Sequence, residues 1–196
     1  MNLLPTRSRK KITVSVIIPI CNEAESLDFF FHEIEKNVKQ VKLKLLFIDD
    51  GSTDHSLQSL LGRQLKDKRI HIIKLSRNFG KEAALTCGLK HCEGDVAIPI
   101  DVDLQDPIEL IDLFLDKWEE GYDVVYGLRK DRKEDSFLKR FTANYYYKFF
   151  NTISDLRMPP NVGDFRLIDR TVIDELQFED GDFTIEATPL LSIINL

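Results

Sequence analysis

The sequence predicts an α/β fold, a mostly parallel central sheet with helices on both faces. Three observations carry that reading. Short runs rich in β-branched residues alternate with stretches whose apolar residues recur at helical spacing. Several of the strand candidates are near-continuous apolar runs, as expected of strands covered on both faces. Polar turns follow successive strand candidates, on the edge where open parallel sheets bind ligands. At 196 residues, one domain with a real hydrophobic core is the default.

The first strand is expected over Ile12 to Pro19, ended by Pro19, with Cys21-Asn22-Glu23 turning into a helix. Within Ala24 to Gln40, Leu27, Phe30, Phe31, Ile34 and Val38 share one helical face and are candidate core. A second strand, Leu43 to Ile48, runs into Asp49-Asp50-Gly51-Ser52-Thr53-Asp54. A helix to about Leu65 and a third strand, Ile70 to Leu75, come next. Arg77-Asn78-Phe79-Gly80-Lys81 is a polar turn before a helix that runs to about Cys92.

Val96 to Ile100 reads as a fourth, buried strand that breaks into Asp101-Val102-Asp103-Leu104-Gln105-Asp106-Pro107. On an extended chain Asp101, Asp103 and Gln105 would point one way, Val102 and Leu104 the other. Asp106-Pro107-Ile108-Glu109 has the pattern of a helix cap, placing a helix over Ile108 to Glu120. A fifth strand is expected at Asp123 to Gly127. Between Leu128 and Lys148 cations predominate, and a helix from about Ser136 to Thr152 mixes them with Phe and Tyr. That stretch is either an amphipathic core helix with a basic rim or a docking surface for an anionic, greasy acceptor. Asn161 to Ile168 suggests a tight turn entering a strand, with Asp164 serving turn chemistry or catalysis.

Composition limits the function. A formal net charge of -6 argues against non-specific nucleic-acid binding. Cys21, Cys87 and Cys92 lack metal-ligand spacing and are expected reduced and mostly packing, as in the cytosol. The sequence shows neither a secretory signal nor a stretch near the roughly 20 apolar residues of a membrane span. The turn after strand one has no glycine and the chain has no Gly-Lys-Ser/Thr loop, which sets aside dinucleotide and ATPase-type sites. Without a backbone nest for phosphates, a diphosphate needs a metal and side-chain cations. Asp101 and Asp103 repel each other unless a cation sits between them, and phosphate oxygens would complete such an ion's shell. The alternative is a polar loop. Carboxylates after strands one and two suit the donors of a base or ribose, so a nucleotide bound with metal is expected.

In these segments the chain resembles a family-2 glycosyltransferase. The likeness is greatest to the polyprenyl-phosphate branch, the bactoprenol glucosyltransferases and dolichol-phosphate mannose synthases. It is carried by Val16-Ile17-Ile18-Pro19 with Asn22-Glu23, Ile48 to Asp54, Arg77 to Glu82, Asp101 to Pro107 and Val162 to Leu167. The resemblance implies a GT-A fold, Mg2+ or Mn2+, and transfer of a hexose, in first place glucose, from a UDP-sugar to undecaprenyl phosphate with inversion. It places the enzyme at the cytoplasmic face of the membrane, alone or with a membrane partner, in work such as O-antigen modification of the cell envelope.

By the same resemblance Pro19, Asn22, Glu23, Asp49, Asp50 and, more weakly, Lys81 serve the nucleotide-sugar. Asp101, Asp103 and Gln105 serve metal and diphosphate, Asp101 and Asp103 as metal ligands. Asp164, at the position of the family's catalytic turn, and Asp103 are the catalytic residues, and Arg129 and Arg132 meet the acceptor phosphate. The expected organisation is a basic extension (1–11), the glycosyltransferase domain (12–176) and a divergent acidic tail (177–196) where the family continues into membrane segments. A donor-binding remnant without turnover and a soluble glycosyltransferase with another acceptor are the alternatives.

Overall fold

The computed structural model describes residues 7–38, 41–128, 162–179, 182–185 and 191–195. In chain order the elements begin β1 (Thr13–Ile20), α1 (Leu27–Asn37), β2 (Lys42–Asp49), α2 (Ser56–Gln64) and β3 (Ile70–Lys74). They continue with α3 (Lys81–His91), β4 (Val96–Pro99), α4 (Leu110–Glu119), β5 (Val124–Leu128) and β6 (Val162–Asp169). Last come α5 (Arg170–Asp174), β7 (Leu176–Glu179), β8 (Asp182–Ile185) and β9 (Leu191–Asn195).

The main sheet has seven strands in the order β3-β2-β1-β4-β6-β5-β9, and β7 and β8 form a separate antiparallel pair. β1, β2, β3 and β4 pair in parallel, as do β5 and β9. Among the described strands of this sheet only β6 runs against both its neighbours, wedged between β4 and β5. The sheet is therefore mostly parallel, as expected. β9, which the sequence reading left in the acidic tail, lies on the β5 edge.

Alternation along β1 explains the two-sided cover. Val14, Val16, Ile18 and Ile20 share a core with Leu27, Phe30, Phe31 and Ile34 of α1 and Ile111, Phe114 and Trp118 of α4. Ile17 belongs to the opposite face, with Ala84, Leu85 and Leu89 of α3 and Val172 and Ile173 of α5. The helical face predicted for α1 is buried as drawn.

Three local expectations are corrected. Pro19 does not end β1, which runs on to Ile20 and pairs Pro19 with Ile48 of β2. The Ile17 carbonyl accepts from the Ile100 amide, so every second residue of this stretch turns its polar groups toward β4. Pro19 therefore faces β4 where that strand has ended at Pro99, and its missing N–H costs no ladder bond.

The chain after Pro99 is not extended. Leu104 donates its amide to the Asp101 carbonyl at 3.2 Å and sits at a φ of 55°, so 101–104 is a turn. α4 begins at Leu110, about one turn later than the cap pattern predicts. Leu110 and Ile111 donate to the carbonyls three residues back, Pro107 and Ile108, so a tight 3-10 turn takes up the intervening residues. The predicted helix over 136–152 lies outside the described residues.

Candidate active site

Strand order reverses between β1 and β4, since β2 and β3 lie to one side of β1 and β4 to the other. Doubly wound sheets open a crevice at such a switch point, beyond the carboxyl ends of the strands. A cavity of about 280 Å³ lies there. The β1 end contributes Pro19, Ile20, Cys21 and Glu23, and the β2 end Asp50. The segment after β3 contributes Asn78, Gly80, Lys81 and Ala84, and the turn after β4 Asp101, Val102 and Asp103.

Each loop is held by backbone bonds. The Asn22 side chain accepts from the Thr53 amide (2.8 Å), the Thr53 hydroxyl (3.2 Å) and the Asp54 amide (3.2 Å), tying the loop after β1 to the loop after β2. Asn22 itself has a φ of 59°, a left-handed conformation that asparagine tolerates better than most residues. Glu23 donates its amide to the Ser56 hydroxyl (2.8 Å), and its carboxylate accepts from the Ser26 hydroxyl (2.8 Å). The Asp54 carboxyl accepts from the Ser56 amide, and bonds from the Ser56 side chain and then its amide hold it below the usual carboxylate range.

Asp50 accepts from the amides of Phe79 (2.7 Å) and Gly80 (2.8 Å), and thereby fixes the start of α3 at the cavity wall. Gly51, at a φ of 73°, backs onto the main chain of Arg77 and Asn78, where a β-carbon would stand 2.6 Å from backbone atoms. Asp49 is fully buried behind the wall: one oxygen accepts from the Ser52 amide at 3.0 Å and the other has no partner.

At the β4 end, Lys81 donates to Asp101 across the cavity at 2.8 Å. Asp103 is exposed and accepts from the Gln105 amide at 3.2 Å. Of the residues singled out from sequence, Pro19, Glu23, Asp50, Lys81, Asp101 and Asp103 therefore meet around one cavity. Asn22, Asp49 and Gln105 stand outside its wall. Arg129 and Arg132 lie outside the described residues. Asp164 lies on β6. β6 is antiparallel to β4 with Ala97 opposite Ile168, and Asp164 lies four residues before Ile168, past the end of that pairing.

Sequence reasoning assigned Cys21 to packing. It lines the cavity, with its sulfur 3.2 Å from the Asn78 side-chain nitrogen that donates to it. Its place in the turn between Pro19 and Asn22 was the available signal. Asn78 and Gly80 belong to a segment the sequence had already marked.

A family model described as glycosyl transferase family 2 matches residues 15–177, which include every strand from β2 to β6 and all the residues of the cavity. This chain belongs to glycosyl transferase family 2. A prophage bactoprenol glucosyl transferase homolog from Escherichia coli is 41% identical over 166 residues, 84% of this chain and 54% of that protein. The bactoprenol glucosyl transferase of Shigella phage SfX is likewise 41% identical, with the same shares covered. The chain thus spans about half the length of the curated relatives it matches. Among solved structures, glucosyl-3-phosphoglycerate synthase from Mycobacterium tuberculosis, in complex with Mn2+, UDP and glucosyl-3-phosphoglycerate, superposes with a TM-score of 0.65 at 17% identity. It covers 95% of this chain and 70% of that one. The shared architecture is the GT-A glycosyltransferase fold.

In this family-2 domain the metal question is one of donor chemistry. Among the described residues no cluster of three or more metal-ligating side chains is assembled. Two of the carboxylates that line the cavity, Asp101 and Asp103, share one turn. An ammonium already rests on one of them. Hard oxygen donors in that number fit Mg2+ or Mn2+ when phosphate oxygens complete the shell.

Proposed function

We propose that this protein transfers a hexose, in first place glucose, from a UDP-sugar to a polyprenyl (undecaprenyl) phosphate, with inversion at the anomeric carbon. The observation that carries this reading is the cavity at the switch point. Among the described residues its wall has four carboxylates, Glu23, Asp50, Asp101 and Asp103, and one ammonium, that of Lys81. So acidic a wall repels a bare diphosphate and accepts one that arrives with a divalent cation. The names of the bactoprenol glucosyl transferases among the relatives support the acceptor, and the UDP and Mn2+ held by a structural neighbour support the donor.

Pro19 and Glu23 are proposed to line the nucleoside end, with Asn22 and Asp50 fixing the loops around it. Asp49, buried behind the wall, is proposed to serve the nucleotide indirectly, by holding the loop after β2 through the Ser52 amide. Asp101 and Asp103 would hold the cation and Gln105 support the diphosphate, with Lys81 beside it. Bound there, the cation would act as a Lewis acid on the departing β-phosphate.

In the transfer, an oxygen of the acceptor phosphate forms the new bond to the anomeric carbon from the face opposite the leaving group. The old bond to the β-phosphate oxygen breaks and its electron pair leaves with UDP. A phosphate monoester has its second ionisation near ~6, so the acceptor is already nucleophilic at neutral pH. Asp164 is therefore assigned to orienting the acceptor more than to deprotonating it. Arg129 and Arg132 are proposed to meet the acceptor phosphate. Among the described residues no helix is long and apolar enough to cross a membrane. Action at the inner face of the cytoplasmic membrane, as a peripheral protein or with a membrane partner, is proposed from the acceptor's chemistry.

Incubation with UDP-[¹⁴C]glucose, Mn2+ and undecaprenyl phosphate tests the reading. Label in a lipid-extractable product that requires the lipid phosphate is the expected result. Tight UDP–Mn2+ binding without transfer would reduce the chain to a donor-binding unit. Transfer to a water-soluble acceptor alone would replace the lipid.

A further inference from the structure

The Lys81–Asp101 ion pair has a consequence for the order in which ligands enter. Lys81 is the first residue of α3, whose start is fixed because Asp50 grips the amides of Phe79 and Gly80. From that anchored position its ammonium reaches Asp101 at 2.8 Å, on the turn that also carries Asp103. The lysine side chain is 42% exposed and that of the aspartate 35%, so the pair sits at the cavity wall in reach of solvent. One of the two carboxylates proposed to hold the cation is thus already paired with a tethered ammonium.

We infer that Lys81 is a built-in counter-ion that keeps the Asp101–Asp103 turn from taking a divalent cation unless a diphosphate arrives with it. This inference rests on the donor-site reading above. A metal ion alone must break the Lys81–Asp101 pair and leave an ammonium beside its own like charge. A metal together with a nucleoside diphosphate supplies Asp101 with a new cation and Lys81 with a new anion at once. The lysine therefore couples two bindings, and by linkage the coupling is reciprocal: the nucleotide tightens the metal by the factor by which the metal tightens the nucleotide. Asp50, some distance along the chain but bonded to the start of α3, is the positioning residue that holds the ammonium in reach.

The test measures Mn2+ binding to the whole chain by the loss of the free-ion EPR signal, with and without UDP. It compares the wild type with Lys81→Met, which keeps most of the stem and removes the charge, and Lys81→Arg, which keeps a cation. Lys81→Met is expected to bind Mn2+ alone more tightly, by up to about five-fold on the scale of a part-exposed ion pair. The enhancement of Mn2+ binding by UDP should shrink in the same variant, and Lys81→Arg should keep the wild-type pattern. If Lys81→Met leaves the affinity for Mn2+ alone unchanged while weakening UDP–Mn2+ binding, the gating role is overturned and the donor site stands, with Lys81 a plain phosphate contact. If the wild type binds neither Mn2+ nor UDP at millimolar concentrations, the donor-site reading falls and takes this inference with it.

Discussion

Both oxygens of Asp50 are engaged by main-chain amides 29 and 30 residues further along, which makes this carboxylate a clamp before it is anything else. Its neighbour Asp49 has the opposite character, buried with one oxygen unpartnered, and an orphaned acceptor of that kind costs roughly 1–3 kcal/mol until something donates to it. Adjacent acids in the sequence thus receive different work from the fold. On the turn after β4, Asp103→Ala should abolish Mn2+-dependent UDP binding in calorimetry while leaving the circular dichroism spectrum and melting temperature unchanged, because the side chain is exposed. An unaltered UDP affinity would remove Asp103 from the cation. On β6, Asp164→Asn should cut sugar transfer by about 10²-fold or more, the scale of a lost acid–base or orienting group, and leave UDP binding intact. Loss of both would make Asp164 a structural residue.

The turn after β4 shows what an element costs to shape. Leu104 sits in the left-handed region at a φ of 55°, a conformation worth about 1–2 kcal/mol of strain for a residue with a β-carbon. Its side chain packs against the hydrophobic core, which offsets that strain and fixes the turn carrying Asp101 and Asp103. At the other end of the same strand pair, Gly94 lets β4 start against β1. It donates its amide to the Ser15 hydroxyl (2.8 Å), and its carbonyl accepts from the Arg170 guanidinium at 2.7 and 2.9 Å. A β-carbon there would stand 2.7 Å from the Ser15 nitrogen and the Thr13 oxygen, backbone atoms that have no rotamer to yield with. Gly94→Ala is therefore expected to cost about 1–3 kcal/mol, as overpacking does. A thermal melt checks it: at roughly 2–4 °C per kcal/mol for a chain of this size, the midpoint should fall by several degrees. An unmoved midpoint would show that β1 and β4 are not pressed together at that residue.

Across the whole molecule, the N-terminal segment is tied to the far side of the sheet. Arg7 pairs with Asp123 (2.6 Å) and Asp169 (3.3 Å) and stacks over Trp118, while Arg9 reaches Asp112, Asp116 and Glu119 of α4. Asp169 also accepts from the Trp118 indole at 2.6 Å and caps α5 through the Thr171 amide. Burial pushes its carboxyl up, but the bonds from Thr171 and Trp118 and the charge of Arg7 outweigh burial and hold it below the usual range. A depressed carboxyl adds stability that is fully present above its unfolded value of about 3.9 and lost as pH falls through the folded one. Denaturation curves at stepped pH should therefore show the wild type losing stability below about pH 4. Asp169→Asn should start less stable at pH 7 and lose less over that acid range; parallel curves would take Asp169 out of the acid response.

The sequence by itself determined the alternation of strands and helices, the buried face of α1 and the loops that bear the site, because periodicity and turn chemistry are local properties. It did not reveal that Lys81 pairs with Asp101. It misjudged Pro19, whose missing N–H is harmless only because β4 has already ended beside it. It drew Asp101 and Asp103 together through strand alternation, when a strained turn held by core packing does so. Only the tertiary structure decided these, since each depends on a partner far along the chain, and which distant groups become neighbours is set by strand order and register.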